Sequence, residues 1–101
     1  MFGLKSETDY PKTLTIRGKK WEIRFSDSVI YKGEECDGLC LYRQKRIELD
    51  RKQKPDEMFS TFVHEVLHAI IGPYVNREIA HWIVYHLEKR IVRFLKNNFT
   101  D

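Results

Sequence analysis

Apolar side chains recur at helical spacing along the second half of the chain, and this pattern constrains the fold more than any other sequence feature. From residue 56 to 71, and again from about 77 to 97, they return every three or four positions, as on a helix with one buried face. The first stripe contains Phe59, Phe62, Val63, Val66, Ala69 and Ile70, and the second contains Ile79, Ile83, Val84, Leu87, Ile91, Phe94 and Leu95. The sequence therefore predicts two amphipathic helices.

Residue types at the ends of the first stripe indicate where its helix begins and ends. Pro55 disfavours helix in the residue before it, and Asp56 can cap the free amides of the first turn. Gly72 and Pro73 follow the last apolar residue, as is typical after a helix C-terminus.

The first half of the chain alternates apolar and polar residues, which indicates strands with one buried face. Two hairpins are predicted, one around the turn Arg17-Gly18-Lys19-Lys20 and one from residue 39 to 50, with a loop from 29 to 38 between them. The apolar positions are Leu14, Ile16, Trp21, Ile23 and Phe25 in the first hairpin and Ile47 and Leu49 in the second. With the helices, this predicts an α+β domain whose small antiparallel or mixed sheet has three to four strands.

A chain of 101 residues has room for one apolar core, so we expect a single domain over residues 12 to 101, preceded by a loose N-terminal lead-in over residues 1 to 11. Its apolar runs are far shorter than the roughly 20 residues of a membrane span, and residues 1 to 10 lack the apolar stretch of a signal peptide. A cytoplasmic protein with no membrane partner is therefore expected.

The two cysteines and the net charge constrain the function less than the features above. Cys36 and Cys40 could pair, bind metal or do neither, and a reducing cytoplasm favours free thiols. The formal charge of +3 permits contact with nucleic acid but does not argue for it, since the basic residues are spread along the chain.

The run His64-Glu65-Val66-Leu67-His68 lies inside the first predicted helix. Histidines four residues apart on a helix lie one above the other, so both imidazoles can reach the same Zn²⁺ ion. Glu65 projects at a neighbouring angle, where it can take a proton from a metal-bound water. The pattern predicts His64 and His68 as metal ligands and Glu65 as the catalytic base; the alternative is two surface histidines beside an ordinary glutamate.

A catalytic zinc usually takes three protein ligands, so the second helix must supply another. The candidates there are Glu78, His81, His86 and Glu88. His81 is favoured because it lies on one flank of the apolar face of the second helix. Glu78 is the main alternative because the first turn of a helix can redirect a side chain. Tyr85, one turn beyond His81, could donate a hydrogen bond to an oxyanion or simply pack. Trp21 and Trp82 are expected in the core or in a lid.

The chain resembles, over roughly residues 20 to 98, the small zincin-like metallopeptidases often encoded by phages and prophages, related in outline to the SprT-like and ImmA/IrrE groups. Only the His-Glu-x-x-His element is highly specific. The residues that carry the resemblance are Gly33-Glu34-Glu35-Cys36-Asp37-Gly38, Arg46-Ile47-Glu48-Leu49-Asp50, Thr61-Phe62-Val63-His64-Glu65-Val66-Leu67-His68-Ala69-Ile70 and Leu95-Lys96-Asn97-Asn98.

The resemblance implies a minimal zincin fold: a short sheet whose last strand lines the substrate cleft, an active-site helix behind it, and a second helix that completes the metal shell. Relatives tend to carry an acidic residue where the second helix meets the zinc, and this place falls at His81 here. The extended metzincin motif is absent, since Ile71 and Tyr74 occupy its glycine and third histidine positions.

The leading hypothesis from the sequence is a zinc-dependent peptidase, a hydrolase that binds an extended protein or peptide substrate along a sheet edge by strand addition. If it is phage-encoded, the host cytoplasm is its location. The alternative is a non-enzymatic, zinc-stabilised binding module that engages a host or regulatory protein. A nucleic-acid-binding domain would rest on charge alone.

Overall fold

The first predicted hairpin is present in the computed structural model, which describes residues 4 to 73 and 75 to 98. Strand β1 (Thr13–Ile16) pairs antiparallel with β2 (Lys19–Ser26), and Leu14 lies opposite Trp21. The two-residue turn between them has Arg17 and Gly18 at φ 52° and 78°, as a tight hairpin turn requires.

The second predicted hairpin is also present, and its last strand joins it to the first. Strands β5 (Gly38–Leu41) and β6 (Arg46–Asp50) pair antiparallel, while β6 pairs parallel with β2 on its other side. The four-stranded mixed sheet has the order β1-β2-β6-β5. Because β6 lies between β2 and β5, Ile47 and Leu49 are fully buried, and β5 becomes an edge strand.

A small strand pair lies where the sequence predicts only a loop. Strands β3 (Ile30–Tyr31) and β4 (Glu34–Glu35) form a separate antiparallel ribbon. Lys32 and Gly33, between them, both have positive φ, so they form another tight two-residue turn.

Helix α1 (Pro55–Ile71) covers the first predicted helix, but it is not capped by Asp56. Pro55 is already its first residue, and the backbone N–H of Lys54 donates to Glu57 Oε1 at 3.0 Å. The expected cap at Asp56 is therefore wrong, because Pro at the first helical position moves the start one residue earlier. At the other end, Gly72 has φ 78° and its N–H donates to the carbonyl of His68.

The face of α1 that packs on the core agrees with the predicted stripe except at its end. Ile70 is exposed although it was expected on the buried face, because periodicity does not tell how far the covering layer reaches along a helix. The buried apolar residues of α1 are Met58, Phe59, Val63, Leu67 and Ala69, with Phe62 and Val66 partly buried against them.

Helix α2 (Arg77–Asn98) has the predicted extent, and Asn76 caps it by accepting hydrogen bonds from the N–H groups of Glu78 and Ile79. Its buried face differs from the expected one. The residues that pack inward are Ala80, Val84 and Val92, with Ile91 and Leu95 beside them, whereas Ile79, Leu87 and Phe94 are exposed. The prediction was wrong for these three because α2 is apolar on two sides and only one side faces α1.

Residues before β1 contribute to the core. Tyr10 is buried, with its ring 5.6 Å from that of Phe25 and 5.1 Å from that of Phe62. The division of the chain at residue 12 stays a prediction, but Tyr10, within the expected lead-in, packs on the domain. Within residues 4 to 73 and 75 to 98, neither helix combines the length and apolarity that crossing a membrane requires.

Candidate functional site

Helix α1 presents His64, Glu65 and His68 toward the edge of the sheet and toward α2. The ring centroids of the two histidines are 4.9 Å apart, as one helical turn between them allows. Both rings are half-buried, and Glu65 between them is only 8% exposed. The three residues of the sequence motif are thus side by side in the structure.

His81 is the α2 residue that reaches this group. Its ring centroid is 5.0 Å from that of His68, so the His68 ring is next to both His64 and His81. Two imidazoles that share a tetrahedral zinc at Zn–N distances of about 2.1 Å have centroids about 5 Å apart. The spacing of neighbouring rings fits a shared ion, and the chemistry of three imidazoles suits zinc.

The donor atoms themselves do not yet converge. Within the described parts of the chain, no three His, Cys, Asp or Glu side chains are arranged so as to hold a metal ion. Rotation about the side-chain bonds changes where an imidazole's donor atoms point, so ring spacing and donor direction are separate requirements for metal binding.

Glu88, also on α2, contacts His64 rather than lying apart as a further ligand. Its Oε1 is 2.8 Å from His64 Nδ1. A carboxylate on one imidazole nitrogen fixes the orientation of the ring and leaves the other nitrogen available. The structure thus shows Glu88, a candidate third ligand by sequence, as the partner of a motif histidine.

The buried position of Glu65 changes its acidity. Burial raises the pKa of Glu65 from its usual 4.5 to about 7; His64 works in the opposite direction, and the Glu88 carboxylate adds to the rise. A carboxyl group with a pKa near neutrality can both accept and return a proton under physiological conditions.

His68 shifts in the other direction. Burial lowers the pKa of His68 to about 4, and His64, His81 and Arg77 add to this effect through their positive charge. The ring is therefore neutral at pH 7, and the neutral imidazole is the form that ligates metals.

The edge strand β5 forms the wall opposite α1, and the two elements approach closely at Gly38. A Cβ atom on Gly38 would lie 2.6 Å from Thr61 Cγ2 and 3.1 Å from Glu65 Cγ. Only glycine allows this approach, which brings the backbone of β5 against the motif helix.

Two further residues of this wall were not identified from the sequence. Burial raises the pKa of the Cys40 thiol to about 12, and the nearby Glu65 contributes to the rise. The hydroxyl of Tyr42 donates to the backbone carbonyl of His68 at 2.9 Å, which ties the end of the hairpin to α1. The predicted second hairpin placed them in the sheet, but nothing local indicated that β5 would face the motif.

Two cavities meet at Gly38, His64 and Glu65, which line both of them. The larger, about 650 Å³, is bordered by five carboxylates, and the smaller, about 450 Å³, is more apolar. The other lining residues include Asp37, Asp56, Glu57, Glu88 and Lys96 in the larger cavity, and Tyr31, Leu39, Tyr42, Val75, Arg77 and His81 in the smaller. Together they form one cleft along β5.

The strand that lines the cleft is not the last strand of the sheet in chain order. The resemblance implied that the last strand would do so, but β6 lies inside the sheet and β5 takes the edge position. The parallel pairing of β6 with β2 is the reason, because it leaves only β5 beside the motif.

Several candidates from the sequence lie away from the two cavities. Glu78 is exposed in the first turn of α2, and the ring of His86 lies 4.5 Å from that of Trp82. Tyr85 is exposed and accepts a hydrogen bond from Lys89 Nζ. None of these four residues lines either cavity, so the structure does not bring Tyr85 to a position for oxyanion contact. Trp21 is in the core, as expected, but Trp82 is 64% exposed and lines neither cavity, so the expectation for it was wrong.

Comparisons of the chain with protein-family models, with curated proteins and with solved structures find no match. The function is therefore argued from the site alone.

Proposed function

We propose that the protein is a zinc-dependent metallopeptidase of the zincin-like kind, with Glu65 as its general base. The observation that carries the proposal is the position of Glu65, a buried carboxyl group that lies between His64 and His68 where two cavities meet. A buried carboxyl group with no function would be an unexplained cost, because burial disfavours its charged form.

His64, His68 and His81 are the proposed zinc ligands. The ring spacings of 4.9 Å and 5.0 Å support this set. Metal binding would require side-chain rotations that bring the donor atoms of the three rings to one ion. Zinc bound there would supply an activated water and polarise the substrate carbonyl. Glu78 stays the alternative third ligand, although it lines neither cavity, whereas His81 lines the smaller one.

The chain's own groups would move the proton. Glu65 is within reach of the space between the two histidines, so it can take a proton there and pass it to the leaving amine. Glu88 holds the His64 ring through Nδ1, and Tyr42 holds the end of α1 through the His68 carbonyl. Both contacts keep the site in one arrangement.

The proposed substrate is an extended segment of a protein or peptide that lies along β5. One edge of β5 pairs with β6, and within the described residues no strand covers the other edge. An exposed edge offers backbone hydrogen bonds to an added strand. Gly38 lines both cavities, so a strand added there would cross directly beside Glu65.

We place the protein in the cytoplasm, that of the host if a phage encodes it. The free thiols of Cys36 and Cys40 support this proposal, because a reducing compartment keeps cysteines unpaired.

A zinc-stabilised binding module is the second candidate. It is favoured by the position of His81 on α2, since an ion held by His68 and His81 would join the two helices. The buried Glu65 argues for the enzyme, because a structural zinc site does not require a proton acceptor.

The test compares zinc content and cleavage of a peptide library in the wild type and four variants. We expect Glu65→Gln to keep zinc but lose cleavage, His68→Ala and His81→Ala to lose zinc, and Glu78→Ala to keep both. His86→Ala is the matched control, since it removes an exposed α2 histidine outside both cavities.

Other results would favour the binding module, refute both candidates or change the third ligand. Stoichiometric zinc without cleavage by the wild type would favour the binding module, and a wild type without zinc would refute both candidates. Zinc loss in Glu78→Ala but not in His81→Ala would move the third ligand to Glu78.

A further inference from the structure

Helix α2 carries a second apolar face that points away from α1. Ile79, Trp82, Leu87 and Phe94 are 53%, 64%, 41% and 59% exposed, and Ile83 is half-buried among them. At about 100° per residue these five side chains share one side of the helix, roughly opposite His81 and Glu88 and beside the face that contains Ala80 and Val84. We call Ile79, Trp82, Ile83, Leu87 and Phe94 the outer stripe.

Exposed apolar side chains that occur singly need no explanation, but a continuous stripe along a helix marks an interaction surface. A shallow hollow of about 470 Å³ lies within this one, bordered by Trp82, Ile83, His86, Leu87 and Arg90. The outer stripe is therefore partly concave as well as apolar.

We propose that the outer stripe binds a second copy of this chain, with the two α2 helices antiparallel about a two-fold axis near residue 86. A two-fold interface requires one surface that complements itself. In such a pair, residues equally far before and after the centre face each other. The charged residues and aromatic rings of α2 meet this requirement.

Charged residues near the two ends of the stripe have opposite sign. Glu78 lies near the N-terminus of α2 and Arg93 near its C-terminus, and helical spacing puts both on the same flank of the stripe. Antiparallel pairing brings Glu78 of each copy close to Arg93 of the other. Parallel pairing would place like charges together, which is destabilising.

Residues near the centre of the outer stripe are also complementary in an antiparallel pair. Arg90 follows residue 86 by four positions and Trp82 precedes it by four, so antiparallel pairing lays each guanidinium near the indole of the other copy. Arginine over a tryptophan face is favourable, and the contact would occur twice. Ile79, seven positions before residue 86, and Phe94, eight positions after it, come near each other toward the ends.

The second copy fits better than a lipid surface. An anionic membrane would attract Arg90 and Arg93 but repel Glu78, whereas a second copy provides a partner for both signs. The pairing also leaves the cleft open, because His81 and Glu88 lie on the opposite side of α2. The inference does not depend on zinc or on peptidase activity.

The test is the molar mass of the purified chain in sedimentation experiments over a wide concentration range. We expect a reversible dimer for the wild type and a monomer for Trp82→Glu. Glu78→Arg and Arg93→Glu should each weaken dimerisation by about tenfold or more, because each places like charges at two symmetric contacts. The double variant Glu78→Arg/Arg93→Glu should restore the wild-type dissociation constant.

Arg43→Glu is the matched control, since it reverses an exposed charge in the β5–β6 turn and should leave the dissociation constant unchanged. A wild type that stays monomeric at every concentration would overturn the proposal. So would a dimer that survives Trp82→Glu or that the double variant does not restore. Binding of monomeric protein to vesicles of phosphatidylcholine and phosphatidylserine would instead assign the stripe to membranes.

Discussion

Burial disfavours the charged form of the Glu65 carboxyl group, and this makes the free energy of unfolding depend on pH. In metal-free protein the folded state keeps Glu65 protonated up to its pKa of about 7, whereas the unfolded chain ionises near the usual 4.5. The unfolded state then binds fewer protons between these values, so stability falls as the pH rises through them. We expect Glu65→Gln to gain stability over the wild type across this window, about 3 kcal/mol by pH 8.

The measurement is urea unfolding of both proteins in chelator at several pH values between 4 and 8. His68 acts in the opposite direction, because its lowered pKa makes the wild type lose stability as the pH falls from about 6.5 to about 4. The difference between variant and wild type therefore isolates Glu65. Glu34→Gln, at an exposed site, is the control, and a pH-independent difference for Glu65→Gln would contradict the expectation.

Glu88 acts on the proposed metal through His64. Because Glu88 Oε1 is 2.8 Å from His64 Nδ1, its replacement should release the ring without removing a ligand. We expect Glu88→Gln to weaken zinc binding by about 10-fold to 100-fold, measured by competition with a chromophoric chelator. Lys89→Gln, one residue along, should leave the affinity unchanged. A loss as complete as that of His68→Ala would show instead that Glu88 is itself a ligand.

At the scale of elements, the approach of β5 to α1 determines the width of the cleft. A Cβ on Gly38 would overlap Thr61, whose hydroxyl donates to Gln53 Oε1 at 2.6 Å and cannot turn away freely. We expect Gly38→Ala to push β5 from α1 and to cost about 1–3 kcal/mol of unfolding free energy, with a loss of peptide cleavage.

Gly33→Ala gives the comparison for that variant. A Cβ there meets no atom within 4 Å, but its φ of 82° is strained for alanine, so it should cost about 1 kcal/mol and leave cleavage unchanged. Equal stability of Gly38→Ala and wild type would mean that β5 and α1 are further apart than the structure has them.

At the scale of the whole molecule, the proposed zinc joins α1 to α2 and should stabilise the fold. Free zinc at 100 times its dissociation constant would add about 2.7 kcal/mol, and each kcal/mol raises the Tm of a domain this small by about 4–8 °C. We expect a zinc-dependent rise in Tm, measured by calorimetry, for the wild type and for His86→Ala. His81→Ala should lose most of it; a full rise in that variant would exclude His81 as a ligand.

Local pattern was enough to predict most of the elements. The helices predicted over residues 56 to 71 and 77 to 97 are Pro55–Ile71 and Arg77–Asn98, and both hairpins were confirmed. These features depend on neighbours within a few positions, so the repeat of apolar residues and the turn-forming glycines contain the necessary information. The adjacency of His64, Glu65 and His68 follows in the same way from one helical turn.

The sequence by itself therefore determined the two helices, the two hairpins and the three motif residues on one helix, but not the β3–β4 ribbon. Tertiary structure alone decided that β6 joins β2, which puts β5 at the edge, and that α2 turns His81 and Glu88 toward α1 while leaving Phe94 exposed. The physical reason is that α2 has two apolar faces of similar character. Which one is buried depends on how side chains from distant parts of the chain fit together, and no local repeat encodes that.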